Sequence, residues 1–263
     1  MKIRLRNGRT MGFWNGVKQY NPLLLLGEPV CLGCLDPNWS GLCSICREEL
    51  ETLDSSEGCS TCSYPLNTLD SEHLHKQRCQ WCSRLTWLPD RVICVYAYRH
   101  IGADLFRRIK FEGYWRGIQP LLGLALQQIV LQEPILPPGV IVPIPESLAS
   151  RLKRPQHPAD VFARALSQHW GLPLERHLAW KRKGPSQVGL DYASRRSNIK
   201  HRFGLSKVRS PKWNPIGRPL TVPEKVILVD DVLTTGATLE SVTRLLRKNG
   251  AKQIIWVTLF RTL

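Results

Sequence analysis

The sequence contains no long apolar run. Near its start the longest, Leu23–Leu26, is enclosed by Pro22, Gly27, Glu28 and Pro29, far short of the roughly 20 residues that span a bilayer. No membrane insertion is expected. Basic residues at the N-terminus (Lys2, Arg4, Arg6, Arg9) are not followed by the apolar stretch of about 7 to 15 residues that a secretory signal carries, so a cytoplasmic location is expected. Acidic residues are scarce as well: 21 Asp and Glu stand against 37 Lys and Arg, a formal net charge of +16. The deficit is local. From Arg151 to Lys212, 15 basic residues face only Asp160, Glu175 and Asp191, a net +12, whereas Cys31 to Cys82 carries three basic residues against eight acidic ones, a net −5. A concentrated positive field attracts polyanions or a phosphorylated small molecule, and a solvated basic face is the plain alternative.

What is present is enough for a sizeable core, because 263 residues at 43% hydrophobic content can bury one. Cysteine is confined to one segment with a single exception. Eight of the nine form four C-x2-C pairs: Cys31 and Cys34, Cys43 and Cys46, Cys59 and Cys62, Cys79 and Cys82. Each pair on a tight turn aims two thiolates at one point, and two pairs complete the tetrahedral sulfur shell that zinc prefers. Pairing in chain order leaves eight residues between the pairs of the first site and sixteen between those of the second, the latter close to ribbon spacing. Two structural zinc ions are expected. Disulfides would need an oxidising compartment, and His73 or His75 could replace one cysteine in the second site. Cys94 lies in the β-branched and aromatic run Arg91–Tyr98, which reads as a buried strand with the thiol as a core residue.

After Pro89 strands alternate with helical patterns. Leu121–Gln132 and Ala159–Trp170 have helical spacing and Gly139–Pro143 is a short apolar strand. Lys225–Val229 reads as a buried strand, Thr238–Asn249 as an amphipathic helix closed by Gly250, and Gln253–Phe260 as a further strand. Strand, helix and strand in this order make a right-handed parallel crossover. The expected fold is α/β, a parallel sheet flanked by helices behind a small amino-terminal cysteine module. The divisions are a basic extension over 1–30, a double zinc ribbon over 31–90, and an α/β domain over 91–263. Four prolines make 206–223 an irregular insertion.

The most informative stretch is Val226-Ile-Leu-Val-Asp-Asp-Val-Leu-Thr-Thr-Gly-Ala-Thr-Leu239. A buried strand delivers Asp230 and Asp231 to its carboxyl end, where open parallel sheets bind ligands. Alternation along the strand means the two acids need not do the same job. The turn that follows, Thr234, Thr235, Gly236, Ala237 and Thr238, offers hydroxyls, free backbone N–H groups and the positive end of a helix dipole, which together suit a phosphate. Gly236 permits a close approach or a positive φ. An ordinary threonine N-cap after an acidic strand end explains the same residues.

This stretch resembles the phosphoribosyl pyrophosphate (PRPP) motif of type I phosphoribosyltransferases. Together with the cysteine pairs it resembles the ComF family, whose members are linked to uptake of single-stranded DNA in natural competence. Further matches are Lys110-Phe111 after Asp104–Ile109, the strand Val142-Pro-Ile-Pro145, and Gln187, Leu190, Arg195, Arg196, Asn198 and Phe203. The resemblance implies that Asp230 and Asp231 hold the ribose hydroxyls and Thr234–Thr238 the 5′-phosphate. It implies further that Mg²⁺ enters with PRPP and that the basic loop 181–202 covers the site. Arg154, Arg182, Gln187, Arg195, Arg196 and Asn198 are then candidates for pyrophosphate or DNA. Single-stranded DNA and proteins of the uptake machinery are the implied partners. Where the family usually carries Arg-Gly-Phe-Asn-Gln, this chain has Arg154-Pro-Gln-His-Pro158, and proline lacks the N–H and freedom of glycine. That departure puts transfer in doubt and PRPP binding not. Two readings stand: a PRPP- and DNA-binding competence protein, with Trp170, Trp180, Tyr192, Phe203 and Trp213 as stacking or core aromatics, and an active transferase with an unidentified acceptor. No residue stands out as its general base.

Overall fold

The computed structural model describes residues 30–37, 41–53, 58–65, 79–114, 117–133, 137–146, 156–180, 203–206 and 221–263, and the backbone of 3–4 and 10–11. Within the amino-terminal extension, β1 (Ile3–Arg4) and β2 (Thr10–Met11) form a short antiparallel pair. Two short helices, α1 (Ser44–Glu48) and α2 (Gln80–Ser83), follow the first cysteine of the second and fourth pairs. The main sheet has four parallel strands in the order β3-β8-β7-β4: β3 (Arg91–Ala97), β4 (Val140–Pro143), β7 (Lys225–Leu233) and β8 (Gln253–Arg261). Between them run α3 (His100–Phe111), α4 (Ile118–Gln132), α5 (Pro158–Trp170) and α6 (Ala237–Arg247).

The central strands are apolar on both faces because both are covered. Ile227 and Val229 of β7, with Ile255 and Val257 of β8, share a core with Leu105 and Ile109 of α3, Leu121 and Ile129 of α4, and Phe162 and Leu166 of α5. Their neighbours Val226, Leu228, Ile254 and Trp256 pack instead with Leu239, Val242 and Leu246 of α6. The crossover β7-α6-β8 is parallel, as expected. Strand β7 is longer than its apolar run: it continues to Leu233, with Asp230 opposite Thr258 and Leu233 opposite Arg261. Ladder hydrogen bonds are made by the backbone, so a polar side chain does not end a strand, and both aspartates lie inside β7.

The cysteine segment packs against this sheet. Leu53, Trp81 and Leu85 join the α6 side of the core, and Leu32 and Leu50 join the opposite side. Cys94 is buried in β3, with Thr258 Oγ1 3.0 Å from its sulfur. A second antiparallel pair, β5 (Leu178–Trp180) with β6 (Phe203–Leu205), was not legible as strands and stands at the two ends of the basic loop 181–202. Phe203 is buried and meets Trp180 edge to face at 4.9 Å, so Phe203 is a core residue. Trp170 is also packed against the core. Tyr192, Trp213, His73, His75 and most of the insertion 206–223 lie outside the described residues. Among the described residues no helix is long and apolar enough to cross a membrane.

Candidate functional site

The side-chain period of β7 separates its two acids. Asp231 continues the series Ile227, Val229 toward the face covered by α3 and α5, while Asp230 continues Val226, Leu228 toward the α6 face. Lys110, in the last turn of α3, reaches Asp231 with Nζ 2.5 Å from Oδ2 and lies 4.6 Å over the ring of Phe106. Asp231 also turns its backbone N–H onto Asp230 Oδ1 at 2.8 Å. Burial, and then the charge of Asp231, push the Asp230 carboxyl up to about 8, against the opposing pull of Lys110.

Beyond the strand, Gly236 takes φ 77°, a left-handed value that glycine accepts and branched residues resist, and it starts α6 at Ala237. The Thr235 hydroxyl accepts from the Ala237 N–H at 3.3 Å. The N-cap of α6 is Gly236, which has no side-chain cap bond, so the plain threonine N-cap is not what starts this helix, and the left-handed backbone is a shape that bare capping does not require. Thr234 is exposed and Thr235 and Thr238 are half-buried, so the hydroxyl rim faces out beside the two acids.

Two residues that sequence reasoning missed complete this wall. His157 Nε2 stands 3.9 Å from Glu146 Oε1 and 4.0 Å from Asp231 Oδ2. Glu146 ends the Val142-Pro-Ile-Pro145 strand motif, and that position was the available signal. His157 sits at the N-cap of α5 with Pro158 in the first turn, where a missing N–H costs nothing. Pro158 is thus a helix start, whereas Pro155, which stands where the family carries glycine, lies outside the described residues. Arg154 and Pro155 lie outside the described residues, as do Arg182, Gln187, Arg195, Arg196 and Asn198. Glu146 and His157 also open a cavity of about 770 Å³ that continues along α5 past Asp160, Arg164 and Gln168 to Arg176. Although burial raises it, the Arg164 and Arg176 guanidiniums hold the Asp160 carboxyl below the usual range.

The chain matches the phosphoribosyl transferase domain family over residues 161–263, which takes in most of α5, the basic segment and the whole β7-α6-β8 unit. Over that stretch the chain is similar to phosphoribosyl transferases. Competence protein F of Haemophilus influenzae is 29% identical over 233 residues, 86% of this chain and 93% of that protein. Competence protein ComFC of Streptococcus pneumoniae is 26% identical over 192 residues, 70% of this chain and 74% of the relative. The chain resembles the ComF-type competence proteins. Among solved structures, an allosteric regulatory enzyme of purine biosynthesis matches 54% of this chain and 25% of its own length, with 20% identity and a TM-score of 0.32. A purine phosphoribosyltransferase from Pyrococcus horikoshii matches 56% of this chain and 83% of its own, with 21% identity and a TM-score of 0.29.

The cysteines assemble in chain order. Cys31, Cys34, Cys43 and Cys46 form one group and Cys59, Cys62, Cys79 and Cys82 the other, with the four sulfurs of each within 4.8 Å of one another. Cys34 and Cys43 are 3.9 Å apart at sulfur, Cys59 and Cys82 3.9 Å, and Cys62 and Cys79 3.5 Å. A tetrahedron with zinc–sulfur bonds of about 2.3 Å has edges of about 3.8 Å, so both groups fit a structural zinc ion. Backbone N–H groups of Cys43, Cys46 and Cys82 donate to sulfur at 3.3 to 3.4 Å, which favours thiolates. All nine cysteines are free of disulfides. No histidine is needed to complete the second group.

Proposed function

We propose that this chain binds PRPP with Mg²⁺ at the Asp230, Asp231 and Thr234–Thr238 site and handles single-stranded DNA; the names of its relatives support a place in competence. The observation that carries the reading is the Lys110–Asp231 pair beside the positive-φ turn at Gly236. A carboxylate held by an ammonium at the carboxyl end of a parallel strand accepts from ribose hydroxyls, while the hydroxyls of the adjoining turn and the positive end of the α6 dipole receive the 5′-phosphate. The acids divide the work. Asp231, paired with Lys110, orients the sugar, and Asp230, whose carboxyl is pushed up to about 8, loses its proton when a cation arrives. A hard divalent cation, which prefers carboxylate and phosphate oxygens, would neutralise the pyrophosphate of PRPP. His157, between Glu146 and Asp231, holds that corner of the wall.

The basic loop 181–202 and its flanks supply the lysine and arginine that single-stranded DNA requires. Calorimetric titration of the purified protein with MgPRPP and with a homopolymeric single strand tests the reading. Saturable PRPP binding, weakened in Asp231→Asn, is expected, and no heat from either ligand would overturn it. The second reading, an active transferase, is favoured by the cavity of about 770 Å³ next to Glu146 and His157, which leaves room for an acceptor. Pyrophosphate release that depends on an added acceptor would select it.

A further inference from the structure

We infer that the second cysteine group, Cys59, Cys62, Cys79 and Cys82, is a metal-dependent support of the phosphate loop, with Trp81, Glu240 and Arg261 as the positioning residues that couple the two. For its ligand arm this rests on the PRPP reading above.

Three contacts join the knuckles to the site. Trp81, between Cys79 and Cys82, lies against Gly236: a Cβ built on that glycine would stand 3.1 Å from Trp81 Cζ2 and 3.4 Å from Leu85 Cδ2. Glu240, in the first turn of α6 and buried, accepts with Oε1 from the N–H groups of Thr86 at 2.6 Å and Trp87 at 3.3 Å. One carboxylate thus ties the chain leaving the knuckle to the helix that begins at the phosphate turn. Arg261, at the end of β8, donates to the Cys62 carbonyl and comes within 3.7 Å of the Cys62 sulfur.

The charge of Arg261 gives the metal its part in this. Its side chain is fully buried between the rings of Tyr64 at 4.9 Å and Trp81 at 4.4 Å, with Nε lacking a hydrogen-bond partner among the described residues. A buried guanidinium needs a countercharge, and no carboxylate among the described residues is paired with it. Four thiolates around one divalent cation carry two net negative charges, which is the countercharge the position calls for. With the metal bound, Arg261 is balanced and clamps Trp81 against Gly236. Without it the four sulfurs lose their common anchor, and Trp81, carried between Cys79 and Cys82, loses its fixed place against Gly236. Coupling of this kind is reciprocal, so PRPP must strengthen metal retention by the factor that metal strengthens PRPP binding.

The test reads the two cysteine groups separately by N-ethylmaleimide alkylation and mass spectrometry of the zinc-loaded protein, with and without MgPRPP, after PRPP binding has been measured directly. Alkylation of Cys59, Cys62, Cys79 and Cys82 is expected to slow roughly 5- to 100-fold with PRPP, the range of ordinary coupling. The protection should be lost in Trp81→Leu, and in Glu240→Ala should the first variant fail to hold its metal. PRPP binding with unchanged alkylation overturns the inference and leaves the PRPP reading intact. Absence of PRPP binding by the wild type overturns the PRPP reading instead. In that case hydrogen exchange decides: faster exchange of the 236–240 amides after zinc removal upholds the support, and unchanged exchange ends it.

Discussion

Lys110 and Asp231, 121 positions apart in the chain, meet at 2.5 Å between Nζ and Oδ2, with Asp231 almost wholly buried and Lys110 mostly so. The pair joins α3 to the centre of the sheet and sets an ammonium beside the carboxylate at the proposed sugar site. Lys110→Met removes the ammonium and leaves a buried charge, which should cost about 2 to 4 kcal/mol of folding stability. Asp231→Asn keeps the shape and loses charge-assisted acceptance, and should weaken PRPP about 10- to 100-fold. Urea denaturation and calorimetry read the two effects, and wild-type values in both variants would remove the pair from the site.

Gly236→Val places a branched side chain at φ 77° and against the Trp81 ring. The left-handed backbone alone costs about 1 to 2 kcal/mol, and the ring must also move. The expected outcome is a lower melting temperature together with loss of PRPP binding. Gly236→Ala, with the smaller group, should show the same two effects in weaker form; stability at the wild-type level in both would mean the turn is free to rearrange.

Asp230 supplies a pH dependence whose sign is fixed by its direction of shift. Its carboxyl is raised from 3.8 to about 8 in the folded chain, so the folded state holds a proton that the unfolded chain releases near pH 4. The stability from this group is complete below about pH 4 and disappears as pH rises through about 8. Asp230→Asn keeps a neutral group throughout. Denaturation midpoints of the variant minus wild type should therefore grow more favourable to the variant across that window, and a flat difference would contradict the shift. MgPRPP, which requires the ionised form, should bind the wild type more tightly toward pH 8.

Two cysteine groups with zinc-like sulfur spacing lead to an expected metal content of about two zinc ions per chain. Prolonged chelation should lower stability by several kcal/mol, since both groups are packed into the core. Elemental analysis and calorimetric melting check this; metal-free protein with the melting behaviour of the untreated sample would show that the cysteines act without zinc.

The segment from Arg151 to Lys212, with its net +12, should bind single-stranded DNA with little sequence preference. The affinity should fall with salt at a slope of about −0.7 per phosphate contact. Replacing Arg195 and Arg196 together with alanine should reduce the slope by roughly one to two units. Titrations at several salt concentrations that give identical slopes for wild type and variant would place the DNA elsewhere.

The sequence alone was sufficient for the features that depend on near neighbours in the chain. The crossover β7-α6-β8 follows from apolar period and length, the four C-x2-C pairs from their spacing, and the Asp230–Thr238 motif from a run of consecutive residues, while which cysteine pairs share a group is settled by the tertiary structure. The sequence features are local patterns whose physical cause lies within a few tens of residues. Tertiary structure alone decided the rest. That Asp231 and not Asp230 faces Lys110 depends on which side of β7 α3 covers. That His157 and Glu146 flank the same acid depends on β4 pairing with β7 in register. Gly236 needs to be glycine for its φ, which the loop pattern suggested, and also for the Trp81 ring, which no local pattern could reveal. Such contacts are set by how helices and knuckles pack across the sheet, where partners stand a hundred or more residues apart and only the filling of a common core selects them.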